Sequence, residues 1–292
     1  MADEVTVAGD QTGEAVPFLK MHGLGNDFVI IDQRGGGAEL SAAQVRALGD
    51  RHFGVGFDQL AVILNHSGHD AEIRFWNADG STAGACGNAT RCVARLLMDE
   101  TGRDRLTLVT QRGVLEAEGL PGGMIRIDMG PPGLEWHEIP LAAEMDTVRL
   151  PIQGNPGAVS MGNPHCVYFV DDAEAVDLAR IGPHAERLPL FPERTNVEFV
   201  SLRSRSEVRL RVWERGTGVT YACGSGACAV IVAGVRRGVL DRRVTMHMDG
   251  GALDLEWRES DGQVLMTGPI ARVFEGRVAP ALLVGAGEAR AS

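Results

Sequence analysis

Ala85-Cys86-Gly87 recurs along the chain as Ala222-Cys223-Gly224, an offset of 137 residues (223 − 86). Without a gap, the same offset superimposes Asn26 on Asn163, Gln59 on Asn196 and Asn77 on Glu214, with Arg74 and Trp76 repeated as Arg211 and Trp213. Such a match describes an internal duplication. Two halves that each offer one cysteine at an equivalent place can face those thiols across a pseudo-twofold axis, with a substrate between them. One sulfur on either side of a carbon suits moving a proton from one face of that carbon to the other: a thiolate accepts it while a thiol donates to the opposite face. The ionisation of such thiols belongs to the coupled pair.

Each cysteine opens a glycine-rich turn, Cys86-Gly87-Asn88 and Cys223-Gly224-Ser225-Gly226, into a helical pattern running from Ala89 to Met98 or from Ala227 to Arg237. Unsatisfied backbone N–H groups and the positive end of the helix dipole at such a start both bind a carboxylate and favour thiolate. At ~100° per residue, Cys92 and Cys228 lie about 240° and 140° around their helices from the first cysteine and read as core. Cys166 falls in an apolar strand run and reads as structural. Asn26, Asn77, Asn163 and Asn196 carry amides, which commonly cap turns. At repeated positions they also offer donors and acceptors for an amino acid's ammonium and carboxylate without adding a competing base. Glu214-Arg215 replaces Asn77-Ala78 and breaks the symmetry. An acid for an ammonium and an arginine for a carboxylate suit a second amino-acid head group, while an ordinary surface ion pair is the plainer alternative. His165 is placed to tune a cysteine, although lone histidines are more often structural; His66 and His69 read as surface.

The elements that must position these groups are legible as patterns. Phe28 to Asp32, Leu60 to Leu64 and Ile73 to Trp76 read as strands, repeated as Cys166 to Val170, Val197 to Val200 and Val208 to Trp213. Gly102 and Gly238 are the expected helix stops. Alternating segments around Leu106 to Val109, Ile125 to Ile127, Val244 to Met246 and Val264 to Met266 close each half. The expected class is α/β (α+β): two pseudo-symmetric domains, each a barrel-like sheet around one principal buried helix. Residues 1–16 read as a flexible acidic tail, 17–127 plus 269–285 as the first half and 128–268 as the second. Pro131-Pro132-Gly133 marks the crossing, and Ile270 to Leu283 returns to the first domain.

Bulk properties narrow the function. The chain of 292 residues suffices for two domains with their own cores. A net charge of −11 argues against a nucleic-acid or anionic-membrane binder, and no apolar run approaches the ~18 residues of a membrane span. Five cysteines without a recognisable export signal point to a reducing, cytoplasmic setting. The cysteine spacings lack the short pair of a usual zinc site, so no metal is expected. Lys20 is the sole lysine, leaving one residue able to form a pyridoxal Schiff base.

Taken together, His22-Gly23-Leu24-Gly25-Asn26-Asp27-Phe28, Asn77-Ala78-Asp79-Gly80-Ser81, Cys86-Gly87-Asn88, Met161-Gly162-Asn163-Pro164-His165, Glu214-Arg215-Gly216 and Ala222-Cys223-Gly224-Ser225-Gly226-Ala227-Cys228 resemble the diaminopimelate epimerase family, in order from about Phe18 to about Gly276. The resemblance implies a cofactor-independent enzyme interconverting L,L- and meso-diaminopimelate, on the route to lysine and peptidoglycan precursors, usually as a homodimer. It implies Cys86 as acceptor for the L,L substrate and Cys223 as donor. Asn26, Gln59, Asn77, Asn163, Asn196, Glu214 and Arg215 match substrate contacts, Gly87-Asn88 and Gly224-Ser225 the helix starts that hold the reacting carboxylate, and His165 and Glu214 positions that adjust the thiols. Ala85, Ala89-Thr90 and Phe274 depart from common family residues, glutamine, Gly-Ala and a dimer-contact tyrosine respectively.

Competing readings are a dehydrogenase, from the G-x-G-x-x-A form of Gly224 to Ala229, and a non-catalytic amino-acid-binding protein, which has no evident use for paired thiols. Proline racemase and hydroxyproline epimerase relatives also use paired cysteines. Glu214-Arg215 and the extra asparagines favour a substrate with two head groups.

Overall fold

Unbroken apolar runs and alternating runs do different jobs in this sheet. The computed structural model describes residues 15–84 and 86–284; most of the acidic tail, Ala85 and residue 285 lie outside the described residues. In chain order the elements are β1 (Val16–Gly23), β2 (Asn26–Asp32), α1 (Ala42–Gly49), β3 (Gln59–Leu64), β4 (Ala71–Asn77), β5 (Thr82–Ala83), α2 (Gly87–Thr101), β6 (Arg105–Thr110), β7 (Gly113–Gly119) and β8 (Ile125–Asp128). There follow β9 (Gly157–Ser160), β10 (Pro164–Phe169), α3 (Leu178–Glu186), β11 (Asn196–Leu202), β12 (Glu207–Glu214), β13 (Gly218–Thr220), α4 (Gly224–Arg236), β14 (Arg243–Met248), β15 (Gly251–Trp257), β16 (Val264–Gly268), β17 (Ala271–Val278) and α5 (Pro280–Val284).

The duplication read from the cysteines is a duplication of topology. β2 pairs in parallel with β3 and β4 with β6, and the second half repeats this with β10 and β11 and with β12 and β14. The halves join edge to edge through antiparallel β8 and β16, with Met266 opposite Ile127. The chain crosses between them twice. After β8, Gly133 forms a bridge with Ser160 of β9; after β16, β17 runs antiparallel to β1 from Val278 opposite Val16.

Strands covered on both faces carry apolar side chains at every position. In β2 and β3, Phe28, Ile30, Ala61 and Ile63 face α2 in the central core, while Val29, Ile31, Leu60 and Val62 pack with Val45 and Leu48 of α1. Strands with one wet face alternate, as in β6, where Leu106 and Leu108 are buried between more exposed Arg105, Thr107 and Val109. α2 and α4 are the two central helices, and their apolar residues meet in one core continuous across the halves. α1 and α3, which the sequence patterns did not mark, add an outer layer on the opposite sheet faces.

Both expected stops adopt left-handed backbone, Gly102 at φ 69° and Gly238 at φ 72°. Gly102 is the C-cap of α2, its N–H bonded to Met98 O, and a Cβ there would meet nothing within 4 Å. Gly102→Ala therefore isolates backbone strain and should cost about 1 kcal/mol, read as a small fall in Tm. Gly250 is a different case. A Cβ there would lie 1.8 Å from the carbonyl oxygen of Leu24 in the other half, so Gly250→Ala should lower Tm considerably more.

Candidate active site

Cys86 and Cys223 are the N-caps of α2 and α4. Cys86 Sγ accepts from the Ala89 N–H at 3.4 Å, and Cys223 Sγ accepts from the Gly226 N–H at 3.4 Å. The sulfurs thus take the place usually held by a serine or aspartate oxygen, which is why each helix begins there. The glycines that follow permit close approach of the halves. A Cβ on Gly87 would come 2.6 Å from Met266 Cε, and one on Gly224 would come 3.0 Å from Met266 Sδ and 3.5 Å from Asn88 Oδ1. Asn88 Nδ2 also reaches the carbonyl of Ala222 at 3.4 Å. The two cysteine turns therefore converge on one methionine at the junction of the halves.

Each turn carries a matching amide. In the first half Asn88 Nδ2 donates to Asn26 Oδ1 at 3.1 Å, and Cys86 Sγ lies 4.0 Å from the same oxygen. In the second, Asn163 Nδ2 faces Ser225 Oγ at 3.5 Å, which lies 3.6 Å from Cys223 Sγ. Ser225 stands one repeat after Asn88, so the two arrangements are equivalents. Gln59 and Asn77 sit opposite each other in register on β3 and β4, joined by a bond of 3.1 Å. Asn196 donates to Pro164 O at 3.0 Å and accepts from the Arg215 N–H at 2.9 Å.

Glu214 and Arg215 part company. Glu214 turns inward, accepting from Thr220 Oγ1, whereas exposed Arg215 reaches outward to Glu193 O at 2.9 Å. They are not an ion pair with each other, because adjacent residues at the end of a strand point to opposite faces. His165 is fully buried and spans Glu198 Oε1 at 2.6 Å and Asn163 Oδ1 at 3.1 Å. Among the described residues it has no hydrogen bond to either cysteine; it acts on Glu198 and Glu214, both of which raise Cys223, and Asn163 links it to Ser225 beside that sulfur. Cys92, Cys166 and Cys228 are all buried in hydrophobic clusters.

The ionisation expected from helix starts is overturned by desolvation. Burial pushes Cys86 up to about 12, with Glu214 adding to the rise, against the Ala89 and Asn88 N–H groups and Arg91, which act downward. Burial also carries Cys223 well above the usual thiol value, reinforced by Glu214 and Glu198 and opposed by Ser225 and the Gly226 N–H. The donors act in the expected direction, but removal from water is the larger effect. Burial raises Glu214 itself to about 7 despite its bond from Thr220. One carboxyl thus acts on both thiols.

Two residues of this neighbourhood escaped sequence reasoning. Glu198 lies inside the apolar run of β11, where its equivalent in the first half is Ala61; a charged residue in such a run was the available signal. Asp58 accepts from Asn26 Nδ2 at 2.8 Å and pairs with Arg51, immediately before Gln59. Lys20 is engaged, bonded to Asp27 and to Gly56 O. A surface cavity of about 750 Å³ lies away from the cysteines, where Arg103 and Arg126 already pair with Asp70 and Glu118. The glycine pattern opens α4 itself directly after β13, which is antiparallel to β12 and hence to β14 beyond the helix, and so lacks the parallel crossover of a dinucleotide-binding turn.

The model of the family described as diaminopimelate epimerase matches residues 18–135 and 157–273. A diaminopimelate epimerase of Phenylobacterium zucineum is 52% identical over 270 residues, covering 90% of this chain and 97% of that protein. One of Acidiphilium cryptum is 52% identical over 274 residues, covering 92% and 98%. Among solved structures, a hydroxyproline epimerase from Agrobacterium vitis superimposes with a TM-score of 0.67 at 16% identity, over 93% of this chain and 94% of the other. A Bacillus anthracis phenazine biosynthesis protein does so with a TM-score of 0.66 at 15% identity, over 91% and 100%. At these identities the structural likeness speaks for the fold alone.

Proposed function

The chain belongs to the diaminopimelate epimerase family and is an epimerase, and from that premise we propose that it interconverts L,L- and meso-2,6-diaminopimelate by cofactor-independent transfer of a proton between two cysteines. The reading places it in lysine and peptidoglycan-precursor synthesis in the cytoplasm. It rests above all on the convergence of two cysteine-capped helices on Met266, with Glu214 acting on both thiols.

In the L,L to meso direction Cys86, as thiolate, removes the α-proton and Cys223, as thiol, delivers one to the opposite face; the reverse direction exchanges the roles. The N–H groups of the helix starts at Gly87-Asn88 and Gly224-Ser225 hold the reacting carboxylate, where negative charge accumulates as the α-carbon is deprotonated. Asn26, Gln59, Asn77, Asn163, Asn196 and Glu214 hold the remaining polar groups of the substrate, and Arg215 joins them once its exposed side chain leaves Glu193 O. A thiol whose pKa is raised gives a stronger base when it ionises, which suits a weakly acidic C–H. The halves that meet around the substrate are 17–127 with the returning segment from 269, and 128–268; pairing of β17 with β1 supports that division.

Epimerisation of L,L-diaminopimelate, with proline and hydroxyproline as controls, tests the assignment. In heavy water the early product should carry deuterium at the inverted carbon while remaining substrate stays protiated. Label appearing equally in both would indicate a single exchanging base and overturn the two-base reading.

Glu214 predicts a pH dependence. Its ionised form is the one that holds an ammonium, so kcat/KM should rise with pH through about 7, and Glu214→Gln should remove that limb. The stability effect has the opposite sense. With a folded pKa near 7 and an ordinary value of 4.5, the folded protein keeps a proton that the unfolded chain has lost between those limits. Stability from this group therefore falls as pH rises from about 4.5 to about 7. Urea midpoints at pH 5 and pH 8 should show that Glu214→Gln is relatively more stable at the higher pH.

A homodimer is also proposed. Val273 and Phe274 are 54% and 47% exposed on β17, which among the described residues pairs only with β1, and Phe274 stacks edge-on against Phe18 with centroids 5.9 Å apart. An unpaired sheet edge that exposes apolar side chains accepts a second copy. Phe274→Asp should shift sedimentation from dimer to monomer.

A further inference from the structure

Arg91 carries a charge that no carboxylate among the described residues balances. It lies in α2 five residues after Cys86 and is fully buried, and its Nε and Nη2 have no hydrogen-bond partner among the described residues. Its Nη1 contacts Met266 Sδ at 3.4 Å, a weak acceptor. The backbone leaves room for this guanidinium. A Cβ on Gly23 would lie 2.9 Å from Nη2, and one on Gly268 would lie 3.3 Å from Cζ. The duplication confines the arrangement to one half: by the 137-residue offset Arg91 falls on Cys228, Gly23 on Ser160 and Gly268 on Pro131.

A buried, unpaired cation is strongly disfavoured and calls for a counter-charge. The ionisable groups that act on Arg91 are the thiols of Cys92, Cys86 and Cys228. Cys92 and Cys228 are sealed in the core, and among the described residues no hydrogen bond reaches either sulfur. Cys86 is half-buried and receives the Ala89 N–H, so it is the sulfur best able to hold a negative charge and to release its proton to solvent.

The geometry points to Arg91 as a positioning residue of the reaction: its guanidinium is the counter-charge that makes Cys86, not Cys223, the first of the two thiols to ionise. This deepens the two-thiol reading and rests on it. The charged groups acting on Cys86 are Glu214 on β12, which opposes thiolate and is the stronger, and Arg91, which favours it, with the neighbouring Cys92 thiol also present. Those facing Cys223 are Glu214 and Glu198 on β11, both opposing. Cys86 thus meets one carboxyl and a cation of its own helix, whose Nη1 contacts the methionine packed on Gly87, whereas both charged groups that act on Cys223 are carboxyls. The bias therefore leaves the substrate-free enzyme ready to take a proton on the Cys86 side.

The test is alkylation by iodoacetamide across a pH series on the substrate-free full chain, resolved by peptide mapping, with urea unfolding of each variant. In the parent, Cys86 should react at lower pH than Cys223. Arg91→Met should move the Cys86 profile up by about one pH unit, a roughly tenfold slower reaction at fixed pH, and leave Cys223 where it was. Arg91→Lys should give an intermediate Cys86 profile. A merely structural role would lower the urea midpoint without moving that profile. Cys223 reacting first in the parent, or an unmoved Cys86 profile in Arg91→Met, overturns the proposal; where that variant does not fold, an unmoved profile in Arg91→Lys does so. Alkylation needs no turnover. Failure to epimerise diaminopimelate with the thiol order intact would count against the functional reading alone, and turnover with the order reversed would count against Arg91 alone.

Discussion

Cys86→Ala and Cys223→Ala should each lower epimerisation by about 10² to 10⁴-fold, the loss expected when a positioned acid or base is removed. Each sulfur serves one face of the α-carbon, so neither can substitute for its partner. The helix caps make the comparison demanding, because alanine also removes an acceptor for the Ala89 or Gly226 N–H and weakens the start of α2 or α4. Serine at the same positions keeps an acceptor while replacing the thiol with a far weaker acid, and should be equally inactive with a urea midpoint nearer that of the parent. Cys92→Ala supplies the contrast. Its sulfur is buried in the core, so the variant should lose about 1–2 kcal/mol of stability and retain turnover. Near-normal kcat/KM in either Cys86→Ala or Cys223→Ala would defeat the assignment of two bases.

What the sequence made legible was whatever repeats or runs locally. The 137-residue offset exposed the duplication because both halves keep the same polar types at the same turns. The strands β2 and β3 announced themselves because burial on two faces demands unbroken apolar runs. α1 and α3 did not, since each is short and covers a sheet with few residues, and α3 contains Pro183 within its span. Its docking depends on a tertiary fit, with Gly182 packed under the Trp213 ring and Glu186 accepting from Trp213 Nε1 at 2.8 Å.

The electrostatics were the least legible part. Helix starts favour thiolate locally, but the balance at Cys86 and Cys223 is set by burial at the junction of two halves distant in sequence. Glu198 illustrates the same limit. Its chain neighbours are apolar, and only the parallel pairing that sets His165 opposite Asn196 places its carboxyl beside both His165 and the turn at Cys223. Nothing in the sequence sets Arg91 apart from Arg95 in the same helix; its missing partners and the glycine cradle are tertiary features.

Mild oxidation of the substrate-free protein should abolish activity by joining Cys86 to Cys223. With a substrate bound, reacting atoms within about 3–3.5 Å put the sulfurs roughly 6–7 Å apart on either side of the α-carbon. Without one, the turns are already drawn together, with Met266 against both Gly87 and Gly224 and Asn88 spanning to Ala222. A disulfide needs α-carbons about 4.4–6.8 Å apart, a change within reach of a modest approach of the halves. Half-buried Cys86 is the sulfur that an added oxidant such as diamide meets first; Cys223 then attacks the activated sulfur, two thiols giving up two protons and two electrons to the oxidant. Bound diaminopimelate should slow the loss, and dithiothreitol should restore turnover. Peptide mapping decides the matter. A bridge confined to Cys92, Cys166 or Cys228, with Cys86 and Cys223 both free in the inactive protein, would mean that the proposed bases do not face one another across the substrate.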